Sequence, residues 1–108
     1  MTGMIEELLS ALLQGIDEFG QVALATVIET KGATPRKAGA KMVVYPDGRT
    51  FGTVGGGCGE AEVVREARNV LDLGESRVLA VDMTGDVAAS EGMVCGGVMR
   101  VFVELVVS

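Results

Sequence analysis

The chain has 108 residues, of which 48% are hydrophobic, so a single domain over residues 1–108 with an apolar core is expected and a disordered chain is excluded. A net charge of −6 argues against nucleic acid as a partner. Because there is no histidine, a Ser-His-Asp or Cys-His catalytic arrangement within one chain is excluded, and two cysteines cannot complete a zinc site unaided.

The first predicted element is an amphipathic helix. Its apolar residues recur at helical spacing: Ile5, Leu8, Leu9, Leu12, Leu13 and Ile16. Acidic residues interrupt this stretch and no basic segment precedes it, so it does not resemble a signal peptide. No apolar run is long enough for a membrane span. We therefore expect a cytoplasmic protein, with no membrane partner, in which both thiols are reduced.

A strand and a basic loop are predicted next. The run QVALATVIET is apolar and β-branched, which is typical of a strand buried on both faces. The segment KGATPRKAGAK then follows a stretch of thirty residues without Lys or Arg. It brings four cations into one glycine-rich segment: Lys31, Arg36, Lys37 and Lys41. This charge pattern fits a small anionic ligand, and a solvated loop is the alternative.

The remaining elements are a hairpin, a helix and two strands. KMVVYPDGRTFGTV predicts two strands around a turn at Gly48. EAEVVREARNVLDLG predicts a helix that ends at Gly74, with an apolar stripe of Val63, Ala67, Val70 and Leu71 and with Val64 alongside. SRVLAVDM and VMRVFVELVV predict strands, separated by the polar, flexible loop TGDVAASEGM. The alternation of the last strand predicts one face with Met99, Val101, Val103 and Leu105 and another with Arg100, Phe102 and Glu104. The order α-β-β-β-α-β-β predicts an α/β domain with a mixed sheet and two main helices, and an α+β fold is the alternative.

Glycine-rich sequence joins the hairpin to the second helix in GTVGGGCGE. Backbone N–H groups before a helix lack partners within the helix, and glycines let an anion approach them closely. The stretch matches neither the dinucleotide fingerprint nor the P-loop. Glu60 and Glu62 in the first helical turn would also repel a phosphate. Anion binding and a purely structural turn therefore both remain open.

The two cysteines occur beside paired glycines. Cys58 lies at the predicted start of a helix, where the positive potential lowers a thiol pKa and raises its reactivity. A buried inert thiol is the alternative. Cys95 precedes Gly96 and Gly97 where the last strand begins. If that strand neighbours the glycine-rich turn, both cysteines would line one pocket.

Taken together, these motifs resemble the N-terminal domain of the XdhC/CoxI family. The resemblance covers residues 22–104 and consists of Gly-Ala-Thr-Pro-Arg, Gly-Ala-Lys-Met, an Asp-Gly hairpin, Gly-Gly-Gly-Cys-x-Glu and a late Cys-Gly-Gly. It implies a cofactor-binding accessory protein rather than an enzyme. Such a protein holds the molybdenum cofactor and delivers it to an apo molybdenum hydroxylase of the xanthine dehydrogenase or carbon monoxide dehydrogenase type.

The resemblance also implies the residues of a cofactor site. The matching positions are Arg36, Lys41, Gly55, Gly56, Gly57, Cys58, Glu60, Cys95, Gly96 and Gly97. Cys58 is the candidate ligand of the molybdenum itself. Gly59 follows Cys58 where family members carry a larger apolar residue, which leaves the geometry of the pocket open.

Family members often carry a second domain with a dinucleotide-binding fold, and no such domain is expected within these 108 residues. A separate chain supplies it, or this domain acts alone. We expect a homo-oligomer, and specifically a homodimer. Two alternative functions are kept: a thiol-dependent redox or sulfur-transfer protein that uses Cys58 and Cys95, and a regulatory interaction subunit.

Overall fold

The computed structural model describes residues 3–34, 36–84 and 96–108. Two helices and five strands follow one another as α1 (Met4–Phe19), β1 (Gln21–Lys31), β2 (Lys41–Val44), β3 (Thr50–Gly52), α2 (Glu60–Leu73), β4 (Arg77–Asp82) and β5 (Val98–Val107). The predicted order and fold class are confirmed. Most of the predicted polar loop before Cys95, and Cys95 itself, lie outside the described residues.

The five strands form one sheet in the order β3-β2-β1-β5-β4. Every pairing among the described residues is antiparallel, so the sheet is antiparallel rather than mixed. Strand β5 runs beside β1 in the opposite direction, so that Val98 lies opposite Lys31 and Val107 lies opposite Gln21. A shift in this register between Val27 and Glu29 marks a bulge.

Helix α2 covers one face of the sheet, called here the α2 face. Its predicted apolar stripe is confirmed, because Val63, Ala67, Val70 and Leu71 are all buried. They pack against the alternate residues of the sheet that point to this side, including Ala25, Val101 and Val103. The helix ends at Gly74, whose φ of 73° is left-handed as a C-terminal glycine allows. This face is a closed apolar core.

Helix α1 lies on the opposite face, called here the α1 face. It packs over β1 and β2 through a cluster that includes Ala11, Val22 and Val43. Gly15 allows the close approach, because a Cβ there would lie 2.7 Å from the Tyr45 ring and would overlap the Val22 side chain. The Tyr45 hydroxyl donates a hydrogen bond to the carbonyl oxygen of Ala11 at 3.1 Å.

Only half of the apolar stripe predicted for α1 is covered. Leu8, Leu12 and Ile16 pack against the cluster, whereas Ile5, Leu9 and Leu13 are 74%, 51% and 65% exposed. The apolar surface of α1 is wider than the part of the helix that contacts the sheet. The α1 face is therefore partly open, in contrast to the α2 face.

Candidate functional site

The glycine-rich turn, residues 53–60, connects β3 to α2. Gly55 is buried, and a Cβ there would overlap the carbonyl oxygen of Cys58. Gly59 has a φ of +71°, and a Cβ at that position would lie 2.8 Å from Cγ1 of Val81. These two glycines are therefore required by packing and backbone conformation, whether or not a ligand approaches the turn.

Glu60 binds the backbone of this turn from within. One carboxylate oxygen accepts hydrogen bonds from the N–H groups of Val54 and Gly55, at 3.1 and 3.2 Å, and from the hydroxyl of Thr53. The hydroxyl oxygen of Thr53 in turn accepts a hydrogen bond from the N–H of Gly56 at 2.9 Å. An internal carboxylate therefore occupies the donors that the sequence suggested for an external anion.

Cys58 points into the core of the α2 face. It is 3% exposed and belongs to the same cluster as Val54, Val63 and Met99. Its sulfur is in a disulfide, which differs from the reduced thiol that was expected. A thiolate at Cys58, for molybdenum or for sulfur chemistry, therefore requires prior reduction. Cys95, the other predicted site cysteine, lies outside the described residues.

Gly96 and Gly97 pack against the beginning of the basic loop. The N–H of Gly96 donates to the carbonyl oxygen of Ala33 at 3.1 Å, and the carbonyl of Gly97 accepts from the N–H of Met83 at 2.9 Å. A Cβ at buried Gly97 would lie 2.5 Å from the carbonyl oxygen of Lys31. The structure thus gives this glycine pair a role in packing two segments closely together.

Arg36 and Lys41 line a cavity on the α1 face, called here the α1 cavity. Its volume is about 750 Å³. Its lining comes from the start of α1, the end of the basic loop and the edge strand β3, and consists of Met4, Ile5, Glu7, Leu8, Arg36, Gly39, Ala40, Lys41, Phe51, Gly52 and Thr53. The Nζ of Lys41 also donates a hydrogen bond to Oγ1 of Thr26 at 3.1 Å.

The predicted site residues thus fall into separate groups. Gly55, Gly56, Gly57, Cys58 and Glu60 belong to the glycine-rich turn, which packs on the α2 face, whereas Arg36 and Lys41 line the cavity on the α1 face. Gly96 and Gly97 contact the residues that precede Arg36. Thr53 links the first two groups, because it lines the cavity and also donates to Glu60.

Sequence reasoning missed the apolar lining of the α1 cavity. Met4, Ile5 and Phe51 are 85%, 74% and 38% exposed, although their side chains are large and apolar. The related signal in the sequence was the apolar stripe of α1, of which the fold leaves Ile5, Leu9 and Leu13 exposed. An apolar surplus of this kind indicates a surface that can bind a ligand or a partner.

A charged cluster holds the β2–β3 hairpin beside α1. The guanidinium of Arg49 lies 2.6 Å from Asp47 and 3.4 Å from Glu18, and 5.4 Å from the centre of the Tyr45 ring. The Arg49 backbone N–H and side chain lower the pKa of Asp47. Burial raises the pKa of Tyr45. This cluster is structural, since none of its members lines the α1 cavity.

Other kinds of site find no support in the part of the chain that the structure describes. Within residues 3–34, 36–84 and 96–108, His, Cys, Asp and Glu side chains do not gather in groups of three or more that could hold a metal ion. Neither of the two described helices has the length and apolar character needed to cross a bilayer. The glycine-rich turn and the α1 cavity are therefore the candidate regions.

The described residues form a small α/β domain in which two helices pack on a five-stranded antiparallel sheet. Its family is established by the sequence comparison. The model of the XdhC and CoxI family matches residues 16–82, and the chain belongs to this family. The resemblance predicted from the motifs is confirmed.

The chain is also similar in sequence to the three proteins described next. The chain is 34% identical over 104 residues, or 94% of its length, to a probable xanthine dehydrogenase subunit of Bacillus subtilis, of which it covers 31%. It is 44% identical over 54 residues to the molybdenum cofactor insertion chaperone PaoD of Escherichia coli, covering 50% of this chain and 17% of the relative. The match to the uncharacterized Escherichia coli protein YqeB is 36% over 83 residues, covering 77% and 15%.

A solved structure has the same fold. A xanthine dehydrogenase from Bacillus halodurans superposes with a TM-score of 0.72 and 28% identity, covering 89% of this chain and 29% of the other. The chain thus spans less than a third of the length of these relatives.

Proposed function

We propose that the chain is a maturation-factor domain that binds the molybdenum cofactor and passes it to an apo molybdenum hydroxylase of the xanthine dehydrogenase type. The observation that carries this proposal is the 44% identity over 54 residues to a molybdenum cofactor insertion chaperone. Binding of the cofactor and its delivery to a client enzyme are both proposals, and the name of this relative suggests them for the chain.

The molybdenum cofactor is a pterin with a dithiolene and a terminal phosphate, and this phosphate fits one of the two candidate regions better than the other. A phosphate needs cationic or N–H donors, and Arg36 and Lys41 supply positive charge at the α1 cavity. In the glycine-rich turn, by contrast, the N–H groups of Val54 and Gly55 already bind Glu60. A second anion there would meet a carboxylate of like charge. We therefore assign the phosphate to Arg36 and Lys41.

The molybdenum centre supplies the redox and sulfur chemistry when it is bound, and the chain supplies the binding and shielding. In this proposal the basic loop holds the anionic end of the cofactor. The packing of Gly97 against the carbonyl of Lys31 holds the beginning of that loop in place. Cys58 can act as a metal ligand only in its reduced form, because its sulfur is otherwise in a disulfide.

The proposal is tested by purifying the protein from cells that also produce a molybdenum hydroxylase. The bound pterin is measured by fluorescence after oxidation and the molybdenum by mass spectrometry. We expect both in the wild type and a strong loss in the double variant Arg36→Gln/Lys41→Gln. The matched control is Arg65→Gln/Arg68→Gln, which removes the same charge from exposed positions on α2. Pterin retention that is equal in the two double variants would contradict the assignment, and wild-type protein without pterin would contradict the function.

The predicted homodimer, the cytoplasmic location and a separate chain with a dinucleotide-binding fold belong to the same proposal. Size exclusion with light scattering tests the first of these. A monomer at every concentration examined would exclude the homodimer. Copurification with a labelled client enzyme, in the presence and absence of the cofactor, tests whether the hydroxylase is the partner.

The disulfide at Cys58 favours a second candidate function, in which the domain is a thiol redox protein. Reduction of the disulfide takes up two electrons and two protons and yields two thiols. Alkylation followed by mass spectrometry tests this, with and without prior reduction. We expect Cys58 to be alkylated only after reduction. Protein that is prepared without reductant and is alkylated at Cys58 directly would exclude this candidate.

A further inference from the structure

We propose that the α1 cavity is a binding site for an organic anion with an apolar or aromatic body. The body of the ligand contacts the apolar wall formed by α1 and β3, and its charged group lies beside Lys41 and Arg36. This inference deepens the proposed function and rests on it only for the identity of the natural ligand, since the ligand class follows from the cavity itself.

The size and lining of the cavity fit a small molecule. Its volume of about 750 Å³ lies within the range of roughly 300–1,000 Å³ that is typical of ligand sites. Its apolar lining comes from Met4, Ile5, Leu8, Ala40 and Phe51. Predominantly apolar walls with a few polar groups are the usual composition of such sites, because apolar contact supplies affinity and polar groups fix orientation.

The charges of the residues that line the cavity favour a negatively charged ligand. The described lining contains two cations, Arg36 and Lys41, and one acidic residue, Glu7, on a protein whose net charge is −6. An ammonium group has three donors, and the bond from Lys41 to Thr26 uses one of them. A carboxylate, sulfonate or phosphate is therefore attracted to this end of the cavity, where both cations are exposed and the attraction is correspondingly modest.

The walls of the cavity are held by backbone contacts. The N–H of Gly39 donates to the carbonyl of Val27 at 2.7 Å, and the N–H of Val27 donates to the carbonyl of Ala40 at 2.9 Å. Gly52 has a φ of +85°, and a Cβ there would lie 2.6 Å from the carbonyl oxygen of Lys41. The loop and the edge strand are thus held close together, so the site is formed before a ligand arrives.

The glycine-rich turn lacks the space that such a ligand needs. Positions around Gly55 and Gly59 are filled by the Cys58 carbonyl and by the side chains of Val81 and Met99. The α1 cavity combines apolar area, room and positive charge. The turn lacks the room, and its backbone donors are already bound by the carboxylate of Glu60. This contrast is what assigns the organic body to the α1 face.

Two fluorescent probes test the inference. 8-Anilinonaphthalene-1-sulfonate carries an aromatic body and one negative charge, and N-phenyl-1-naphthylamine has the same ring system without the sulfonate. Titration of the folded protein with each probe gives two dissociation constants. We expect saturable binding of the anionic probe and weaker binding of the neutral one.

Matched variants locate the binding. Lys41→Gln should weaken the anionic probe about three- to fivefold and leave the neutral probe within about twofold. Lys37→Gln removes a loop cation that does not line the cavity and should change neither probe. Ile5→Ala should weaken both probes about fivefold, whereas Leu13→Ala, an exposed apolar residue of α1 outside the cavity, should leave both unchanged. Ile5 and Leu13 are both exposed, so neither variant threatens folding.

Competition separates two sources of the same chemistry. Displacement of the anionic probe by adenosine monophosphate indicates a heterocycle with a phosphate, and displacement by octanoate indicates an aliphatic acid; either result supports the inference. It is overturned if the anionic probe does not bind, or if Lys41→Gln and Lys37→Gln have the same effect. A protein that binds the probe as expected but never carries pterin would disprove the proposed function alone. Pterin retention without probe binding would disprove this inference alone.

Discussion

The two faces of the sheet differ in how completely they are packed. On the α2 face, the inward residues of α2 and of β5 are buried, and the glycine-rich turn packs tightly against them. On the α1 face, half of the helical stripe remains exposed, and a cavity of about 750 Å³ opens beside two cations. A glycine-rich motif therefore need not mark a ligand site, and an unremarkable helix can form part of one.

The glycines illustrate this difference. Gly55 and Gly59 lie where any Cβ would meet the chain itself, so close packing on the α2 face accounts for both. Gly39 and Gly52, by contrast, border the α1 cavity with positive φ values of 97° and 85°. The same residue type closes a core in one region and shapes an open wall in the other.

The largest expected effect compares one methionine from each face. Met99 is 1% exposed and contacts the glycine-rich turn, so Met99→Ala should lower the free energy of unfolding by about 2–5 kcal/mol. Met4 is 85% exposed, and Met4→Ala should change the free energy of unfolding by less than about 0.5 kcal/mol. Urea unfolding followed by circular dichroism measures both. Equal losses would mean that the two faces are equally packed.

Two glycines within the turn provide the next comparison. Gly55→Ala should cost about 3 kcal/mol, because the new methyl group overlaps the carbonyl of Cys58. Gly57 has a φ of +103° but no atom within 4 Å of a Cβ, so Gly57→Ala should cost only about 1–2 kcal/mol of backbone strain. Thermal and urea unfolding of both variants test the order. If Gly57→Ala is the more harmful, packing is not what requires Gly55.

Substitution of Glu60 tests whether its carboxylate is the acceptor that the backbone N–H groups of the turn require. Glu60→Ala leaves the N–H groups of buried Val54 and Gly55 without their acceptor and should cost about 1–3 kcal/mol. Glu62 is exposed in the same helical turn, and Glu62→Ala should cost under about 1 kcal/mol. Hydrogen exchange of the Val54 and Gly55 amides gives a local readout. Unchanged protection of both amides in Glu60→Ala would contradict this role.

The smallest expected effect is the pH dependence of stability that arises from Tyr45 on the α1 face. Burial raises the pKa of Tyr45, with Glu18 and Asp47 adding to the shift and Arg49 opposing it. Because the folded protein holds this proton more tightly than the unfolded chain, the contribution to stability is complete below about pH 10 and is lost as the pH rises through the raised pKa. Tyr45→Phe should remove this dependence and cost about 0.5–1.5 kcal/mol through the lost bond to Ala11.

The chain has a single tyrosine, so its ionisation is read directly from ultraviolet absorbance. We expect the titration midpoint of the folded protein to lie above that of the unfolded protein in denaturant. A folded midpoint equal to or below the unfolded one would show that Tyr45 does not pack beneath α1 as described.

Much of the fold was predictable because the local patterns agree with the tertiary structure. The strand VMRVFVELVV was predicted with its two faces, and Met99, Val101 and Val103 are indeed buried. The helix ending at Gly74 was likewise predicted from its stripe and its terminal glycine. The order of strands was not predictable, because the pairing of β5 with β1 joins opposite ends of the chain and leaves no local signature.

The candidate site was less predictable, for a physical reason. Sequence proximity placed Cys58 and Glu60 together correctly, but it did not show that Glu60 would bind the turn itself or that Cys58 would face the core. Arg36 and Lys41 were identified from charge, yet their apolar neighbours come from α1, far away in sequence. A cavity depends on which surfaces the tertiary fold leaves uncovered, and no local pattern records that.

The position of β5 has a consequence for how the protein is made. The strand lies between β1 and β4, whereas the family match ends at Asp82, before β5 begins. During synthesis the ribosome therefore releases β1, β2 and β3 as a three-stranded meander, while β4 has no neighbour in the sheet until β5 follows. Contacts between distant parts of a chain form slowly. A fragment cut at the end of the family match would keep both edges but lose the strand that joins them.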